Sequence, residues 1–354
     1  MFNTRSILRT AAGVAVAALI AQPLAGCSAG ASQFNPATAS TPQNIAQPSA
    51  PANAYRLTRN MQPLIADINT GSYGGGYVCP KGEFPVAIYR IVAHPGTWGV
   101  FELVGYECEG PCLAMTSSAQ FTYVGLAGKT IAVLAYAKGK LTQVSTLSGL
   151  SGSPLGMAAD AHDNLWVTNS PTTTISEFAK GATKPTASYT DPNLGSISYL
   201  AIDKNDNVYV EGSSGSAMEI DELTASGTFT VIAKPGQVGS TPGGLAIAQH
   251  GKSTYLWVND QGYGSGAGRI SRYLLKGSSL KATGNFAYAG IDGAIAADPS
   301  GNIERIFGVN NVPSGSQFDA SIVEYDLRTG EAVASQKLGT LPSEDVSLTT
   351  SKKP

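Results

Sequence analysis

Side chains able to do covalent or metal chemistry are few here: four cysteines and three histidines in 354 residues. Cys79, Cys108 and Cys112 can close one disulfide with one sulfur left over, either within Cys108-Glu-Gly-Pro-Cys112 or from Cys79 to one of that pair. A zinc site would need a fourth ligand, and His94 is the only histidine near those sulfurs, so no metal is expected there. His162 and His250 fall in segments that read as hairpin turns, where an exposed imidazole is expected rather than a general base. No Gly-x-Ser-x-Gly elbow presents a nucleophile. The glycine-rich rows Gly71–Tyr77 and Tyr263–Gly268 are not followed by a helix that would cradle a phosphate, and both read as loops.

The fourth cysteine, Cys27, has a more telling context. Arg5 and Arg9 precede an apolar run from Ala11 to Ala21, and Leu24-Ala25-Gly26-Cys27 follows. A basic start, a short apolar stretch and small residues form an export signal. The run is far shorter than the ~20 residues a spanning helix needs. Its ending resembles the lipobox of bacterial lipoproteins. That resemblance implies a signal peptide of residues 1–26, cleavage before Cys27, diacylation of its sulfur and acylation, such as by palmitate, of the new amino terminus. Each buried methylene contributes ~0.8 kcal/mol and a single chain holds only weakly, so several chains on Cys27 give firm attachment to a membrane. Ser28 stands where lipoproteins retained in the inner membrane tend to carry aspartate, which points to the cell envelope on the extracytoplasmic side, and to the outer membrane in a Gram-negative cell. Export also places Cys79, Cys108 and Cys112 where disulfides persist. Residues 27–54 are mostly Ala, Ser, Pro, Gln, Asn and Thr, without charge. Such a stretch buries too little apolar surface to offset its ordering entropy, so a flexible tether is expected.

Only 14% of residues are charged and the net charge is −2. Nucleic acid and anionic lipid surfaces need clustered Lys and Arg, so neither is an expected partner. The 41 glycines and 20 prolines are scattered through apolar alternation, a pattern of many turns. An all-β fold follows.

Four segments repeat: GMAADAHDNLWVTN from Gly156, YLAIDKNDNVYVEG from Tyr199, GLAIAQHGKSTYLWVND from Gly244 and AIAADPSGNIERIFGVN from Ala294. With ISEF, IDEL, ISRY and IVEY after them, and VLAY at Val133 before, the period is about 45 residues, the length of a propeller blade. The first strand of each unit carries small residues at Ala158, Ala201, Ala246 and Ala296. Innermost propeller strands converge on an axis, where bulky side chains would collide. Asp163-Asn164, Asp206-Asn207 and Gly301-Asn302 then supply residues that accept the positive φ of a tight hairpin. Aromatic and β-branched residues follow, able to fill the layer between sheets. The fourth unit breaks the pattern, with Glu304-Arg305 in place of an aromatic. We expect a β-propeller across 115–350, six blades favoured on five recognisable repeats. Residues 55–114 would form a degenerate blade or appended β unit, and 351–354 a tail. The ends of the chain should pair to close the ring. Asp345–Leu348 is expected as the first strand completing the blade of Phe121–Tyr136.

Pro154–Asp160, Asn164–Val167 and Ile175–Phe178 resemble the NHL-repeat pattern, which also runs through the six-bladed propellers that include gluconolactonases, strictosidine synthases and streptogramin lyases. The resemblance covers roughly residues 116–350. It implies a fold but no single activity. The lactonase-like enzymes hold a divalent cation with residues immediately before a first strand, and the corresponding positions here are Leu155, Ser198, Gly243, Asp292 and Glu344. Leu155 and Gly243 have no ligating side chain, so Ser198, Asp292 and Glu344 are the candidate channel-mouth residues and no resident cofactor is expected. The function expected is a membrane-anchored binding module for an envelope protein, peptide or glycan, acting as a monomer. The alternative is a lactonase-like hydrolase or lyase. Replacing Cys27 with alanine is expected to abolish incorporation of labelled palmitate and to leave the signal uncut. Label retained by the variant would remove the anchor.

Overall fold

The computed structural model describes residues 61–69, 86–90, 93–94, 97–98, 104–106, 112–118, 120–137, 140–234, 236–261, 268–289, 294–298, 303–314, 317–339 and 343–352. The signal and tether of residues 1–54 with Cys27, as well as Cys79, Cys108, Gly71–Tyr77 and Asp292, lie outside them. In chain order the strands begin with β1 (Met61–Asn69), β2 (Val86–Arg90), β3 (Ala93–His94), β4 (Thr97–Trp98) and β5 (Val104–Tyr106). Blade I is β6 (Cys112–Ser117), β7 (Phe121–Leu126), β8 (Thr130–Ala137) and β9 (Lys140–Leu147). Blade II is β10 (Ser153–Ala159), β11 (Leu165–Ser170), β12 (Thr174–Phe178) and β13 (Ala187–Thr190). Blade III is β14 (Ser196–Ile202), β15 (Val208–Ser214), β16 (Ala217–Leu223) and β17 (Phe229–Ala233). Blade IV is β18 (Pro242–His250), β19 (Ser253–Asp260), β20 (Gly268–Leu275) and β21 (Leu280–Ala289). Blade V is β22 (Ile295–Ala297), β23 (Arg305–Ser314), β24 (Gln317–Asp326) and β25 (Glu331–Gly339), and β26 (Ser343–Lys352) ends the chain.

The protein is an all-β propeller with these five blades in a ring, each an antiparallel meander of four consecutive strands. A further four-stranded sheet has the order β26-β1-β2-β5, so the last strand pairs with the first over Met61–Asn69. Strand β26 also lies against β6 and β22, the first strands of blades I and V. Pairing of the chain's ends was expected, but with a different partner. The blade of Phe121–Tyr136 has its own first strand, Cys112–Ser117, opposite Phe121–Leu126. Its Cys, Leu and Met hide it from a search for alanine, with only Ala114 small and fully buried.

Packing at the axis bears out the central expectation. Ala158, Ala201, Ala246 and Ala296 all line one central cavity of about 470 Å³. Directly opposite them on the second strands stand Trp166, Tyr209, Trp257 and Phe307. Cross-strand partners share a face of the sheet. The small residue at the axis therefore sits beside a large one a strand further out, which matches the wedge-shaped gap between radiating sheets. Trp166 shares a buried cluster with Leu200 and Val208 of blade III, Tyr209 with Leu245 and Leu256 of blade IV, and Trp257 with Ile295 and Ile306 of blade V. Truncating such an aromatic to alanine costs about 3–5 kcal/mol. In blade V the aromatic is Phe307, not a residue of the Glu304-Arg305 pair: a longer turn delays the strand, and Arg305 only begins it.

The hairpins between first and second strands are braced by an aspartate that ends the first. The Asp160 carboxylate accepts the backbone N–H groups of His162 and Asn164, each at 2.9 Å, and the Asn164 side-chain amide at 2.9 Å. Asp203 repeats this with Asn205 and Asn207 at 2.8–3.0 Å. As the residue types implied, Asp163 and Asp206 take the left-handed conformation, with φ of 65° and 62°. Neighbouring blades approach closely at Gly156, where an added Cβ would lie 2.6 Å from the Ser198 carbonyl oxygen and 2.8 Å from the Tyr199 Cα of the next blade. Both obstacles are backbone, which cannot swing away. Gly156→Val is expected to lower the stability to urea by about 3 kcal/mol or more, whereas Gly181→Ala, in open space though at positive φ, should cost less; equal effects would contradict close approach of the inner strands.

Candidate functional site

The first strands of blades I to IV, and β26 as well, begin with an irregularity. Pairing slips between Pro154 and Met157 in β10, between Ile197 and Tyr199 in β14, and between Pro242 and Gly244 in β18. It slips likewise between Cys112 and Ala114 in β6, and beside Ser343 in β26, where Ile68 faces Asp345 and Asn69 faces Ser343. The extra residues are therefore Leu113, Leu155 with Gly156, Ser198, Gly243 and Glu344. A bulge inserts one residue without a cross-strand partner and re-aims it, a device common beside binding sites. Leu155, Ser198, Gly243 and Glu344 are four of the five channel-mouth positions singled out by resemblance, so the structure places them at one recurring point of the fold. Asp292 lies outside the described residues, and for Glu344 the backbone register alone is described.

Polar side chains on the second strands stand behind these bulges, and sequence reasoning missed them. The Gly156 N–H donates to the Thr168 hydroxyl oxygen at 2.7 Å, and that hydroxyl donates to the Ser198 carbonyl of the next blade at 2.9 Å. Glu211 holds the same register in blade III, two residues beyond the aromatic, and accepts the Gly244 N–H of blade IV at 3.2 Å. Asn259 follows in blade IV, its amide donating to the Gly243 carbonyl at 3.3 Å. The available signal was a polar residue closing each aromatic-Val pair: Trp166-Val-Thr168, Tyr209-Val-Glu211 and Trp257-Val-Asn259. These groups satisfy backbone atoms that the bulges release from the ladder.

Glu211 is fully buried, and its Oε1 has no hydrogen-bond partner. Burial pushes its pKa well above the ordinary value, and the charge on Asp260 adds to this, while the N–H groups of Gly244 and Gly243 oppose it. The carboxyl therefore tends to stay neutral where exposed glutamates are ionised.

Below the bulges the channel wall is apolar: Met157, Leu200, Leu245 and Ile295 beside the four alanines. Ser117, Asp203, Lys204, Gln249 and Asp298 bring polarity at the far ends of the same strands. The lining is therefore mixed, apolar beneath the bulges and polar at the far ends. His162 lies outside the channel lining in an exposed turn, as expected, with its Nδ1 3.0 Å from Asp206 Oδ2 and its side chain 73% exposed. With the Ala161 N–H on Asp206 Oδ1 at 3.2 Å, this clasps the hairpin of blade II to that of blade III. His250 ends β18 and is exposed, and His94 lies in β3. Cys112 opens β6.

No protein-family model matches the chain, and no curated protein matches it. Several solved structures are similar to it. A protein from Lactobacillus plantarum superposes with a TM-score of 0.51 at 13% identity, covering 81% of this chain and 99% of that one. A functionally unknown protein from Desulfotomaculum acetoxidans gives 0.48 at 10% identity over 80% and 79%. The hydrazine synthase of Kuenenia stuttgartiensis gives 0.44 at 14% identity over 68% and 70%.

The raised Glu211 pKa has a consequence with a definite sign. An acid whose folded pKa exceeds its unfolded one contributes stability that is complete below the unfolded value and is lost as pH rises towards the folded value. Glu211→Gln keeps an oxygen acceptor for the Gly244 N–H and removes the ionisation. Its stability advantage over the native protein is expected to grow from about pH 5 to about pH 8, measured as urea midpoints across that range. A constant difference would mean that Glu211 titrates as an ordinary glutamate.

Proposed function

We propose that this protein is an exported lipoprotein, anchored through Cys27, whose six-bladed propeller binds an envelope protein, peptide or glycan on the face that carries the bulges. The sheet β26-β1-β2-β5 supplies the sixth blade in this reading. The observation that supports it best is the direction of β1. Met61 pairs with Lys352, and Asn69 pairs with Ser343. The chain therefore enters the ring at the end where the first strands finish, while the bulges lie where they start. The end of the ring at which β1 begins is thus opposite the bulge face, which the entering chain leaves free for a partner in this reading. The small residues beneath that face leave room for a partner's side chains, which supports a binding role.

The test is cross-linking in intact envelopes with the full chain. A discrete adduct is expected for the native protein and for Lys204→Ala, at the far end of the channel. It should be lost in Ser198→Trp, which obstructs the bulge face. Equal adducts in all three, or none above a denatured control, would overturn the proposal.

A further inference from the structure

Of the side chains that hold bulges, Thr168, Glu211 and Asn259, only Glu211 can change its charge. It is fully buried on β15, with Oε2 accepting the Gly244 N–H at 3.2 Å and Oε1 without a hydrogen-bond partner. Tyr199 of β14 and Ile220 of β16 are its cross-strand partners and share its face of the sheet. Glu219 and Asp221 flank Ile220 on β16 and so lie on the opposite face. Blade IV sets the backbone of Gly243 and Gly244 against Glu211, and adds the charge of Asp260 on β19, which faces Arg269 of β20.

The bulge that Glu211 holds is lightly fixed. Gly243 has no cross-strand partner, since Pro242 pairs with Asp260 and Gly244 with Asn259. Its carbonyl accepts the Asn259 amide at 3.3 Å. Thr168 does the equivalent work on Gly156 and the Ser198 carbonyl with bonds of 2.7 and 2.9 Å, nearer the optimum. Neither Gly243 nor Gly244 has a side chain to wedge it in place. Ser240 and Thr241, just before the bulge, are exposed, so a small displacement there admits water. An ionised carboxylate at the depth of Glu211 needs donors on both oxygens or water in their place, and Oε1 has neither.

We propose that Glu211 is a proton switch on the bulge face. Neutral, it keeps the Gly243–Gly244 bulge closed against blade III; ionised, it opens that bulge to water, so that a partner binds in mild acid and is released as pH rises. The release rests on the bulge face being the binding face, as proposed above, whereas the opening does not. A fixed mouth costs a partner less to bind than one it must first order. Burial, against the pull of the Gly244 N–H, keeps the carboxyl neutral well above the ordinary glutamate range. In an opened bulge Glu211 ionises as an ordinary acid, so opening becomes easier by about tenfold per pH unit until the closed form ionises too.

The test is amide hydrogen exchange of the full chain from about pH 5 to about pH 8, read by mass spectrometry and corrected for the intrinsic pH dependence of exchange. Protection of the β18 bulge in the native protein is expected to fall by about tenfold per pH unit in the lower part of that range. It should stay constant in Glu211→Gln, and in Glu211→Thr, the blade II residue type, should the first variant fail to fold. Protection at Gly156 of β10, held by Thr168, should stay constant in the native protein. A β18 bulge protected equally at every pH would overturn the proposal, as would a loss that persists in both variants or is matched in β10. Cross-linking in intact envelopes separates the switch from the face: the native adduct should fade across the same range and that of Glu211→Gln persist. Opening with no adduct at any pH keeps the switch and removes the binding face. An adduct and a protection that both hold to about pH 8 keep the face and remove the switch.

Discussion

Crowding at the axis governs this molecule. Sheets that radiate from a common line come closest at their first strands, so side-chain volume there is limited while the gap further out widens. Ala158, Ala201, Ala246 and Ala296 meet the limit, and Trp166, Tyr209, Trp257 and Phe307 fill the gap beside them. At Gly156 even a methyl group would collide with the next blade's backbone. The same gradient directs the hydrophobic clusters, each of which joins two neighbouring blades. Blades of this kind have little core of their own and depend on their neighbours for burial.

A ring built this way must close, because a terminal blade would otherwise leave one apolar face uncovered and one strand edge unpaired. Pairing of β26 with β1 joins the last strand to the first, and β26 sits between the first strands of blades I and V. Strands far apart in sequence thus complete one sheet, which links the ends of the ring by backbone hydrogen bonds as well as by packing.

The repeats could be read from the chain because the axis imposes residue type. Small residue, Asp-braced turn and aromatic recur where geometry leaves no alternative, and that was enough to place four alanines around one cavity. Where a unit departs from the pattern, position was harder to read: Cys112–Ser117 lacks the alanine pair, and Phe307 is delayed by a longer turn. Closure was legible as a need but not as a pairing, since strand partners distant in sequence leave no local trace. The bulges were visible only indirectly, through positions inferred from resemblance. Thr168, Glu211 and Asn259 went unread, because nothing in a strand's alternation reveals which backbone groups the neighbouring blade leaves unpaired.

The polar interior divides into two kinds. Thr168 and Asn259 answer a demand of the fold: a bulge frees N–H and carbonyl groups, and a side chain on the second strand takes them up. Glu211 answers the same demand with a group that must stay protonated to do so cheaply, which makes that blade junction sensitive to pH. Asp191 answers a local demand of the connection into blade III, its Oδ1 accepting the N–H groups of Asn193 and Leu194, and Asp221 accepts the Asn193 side-chain amide beside it.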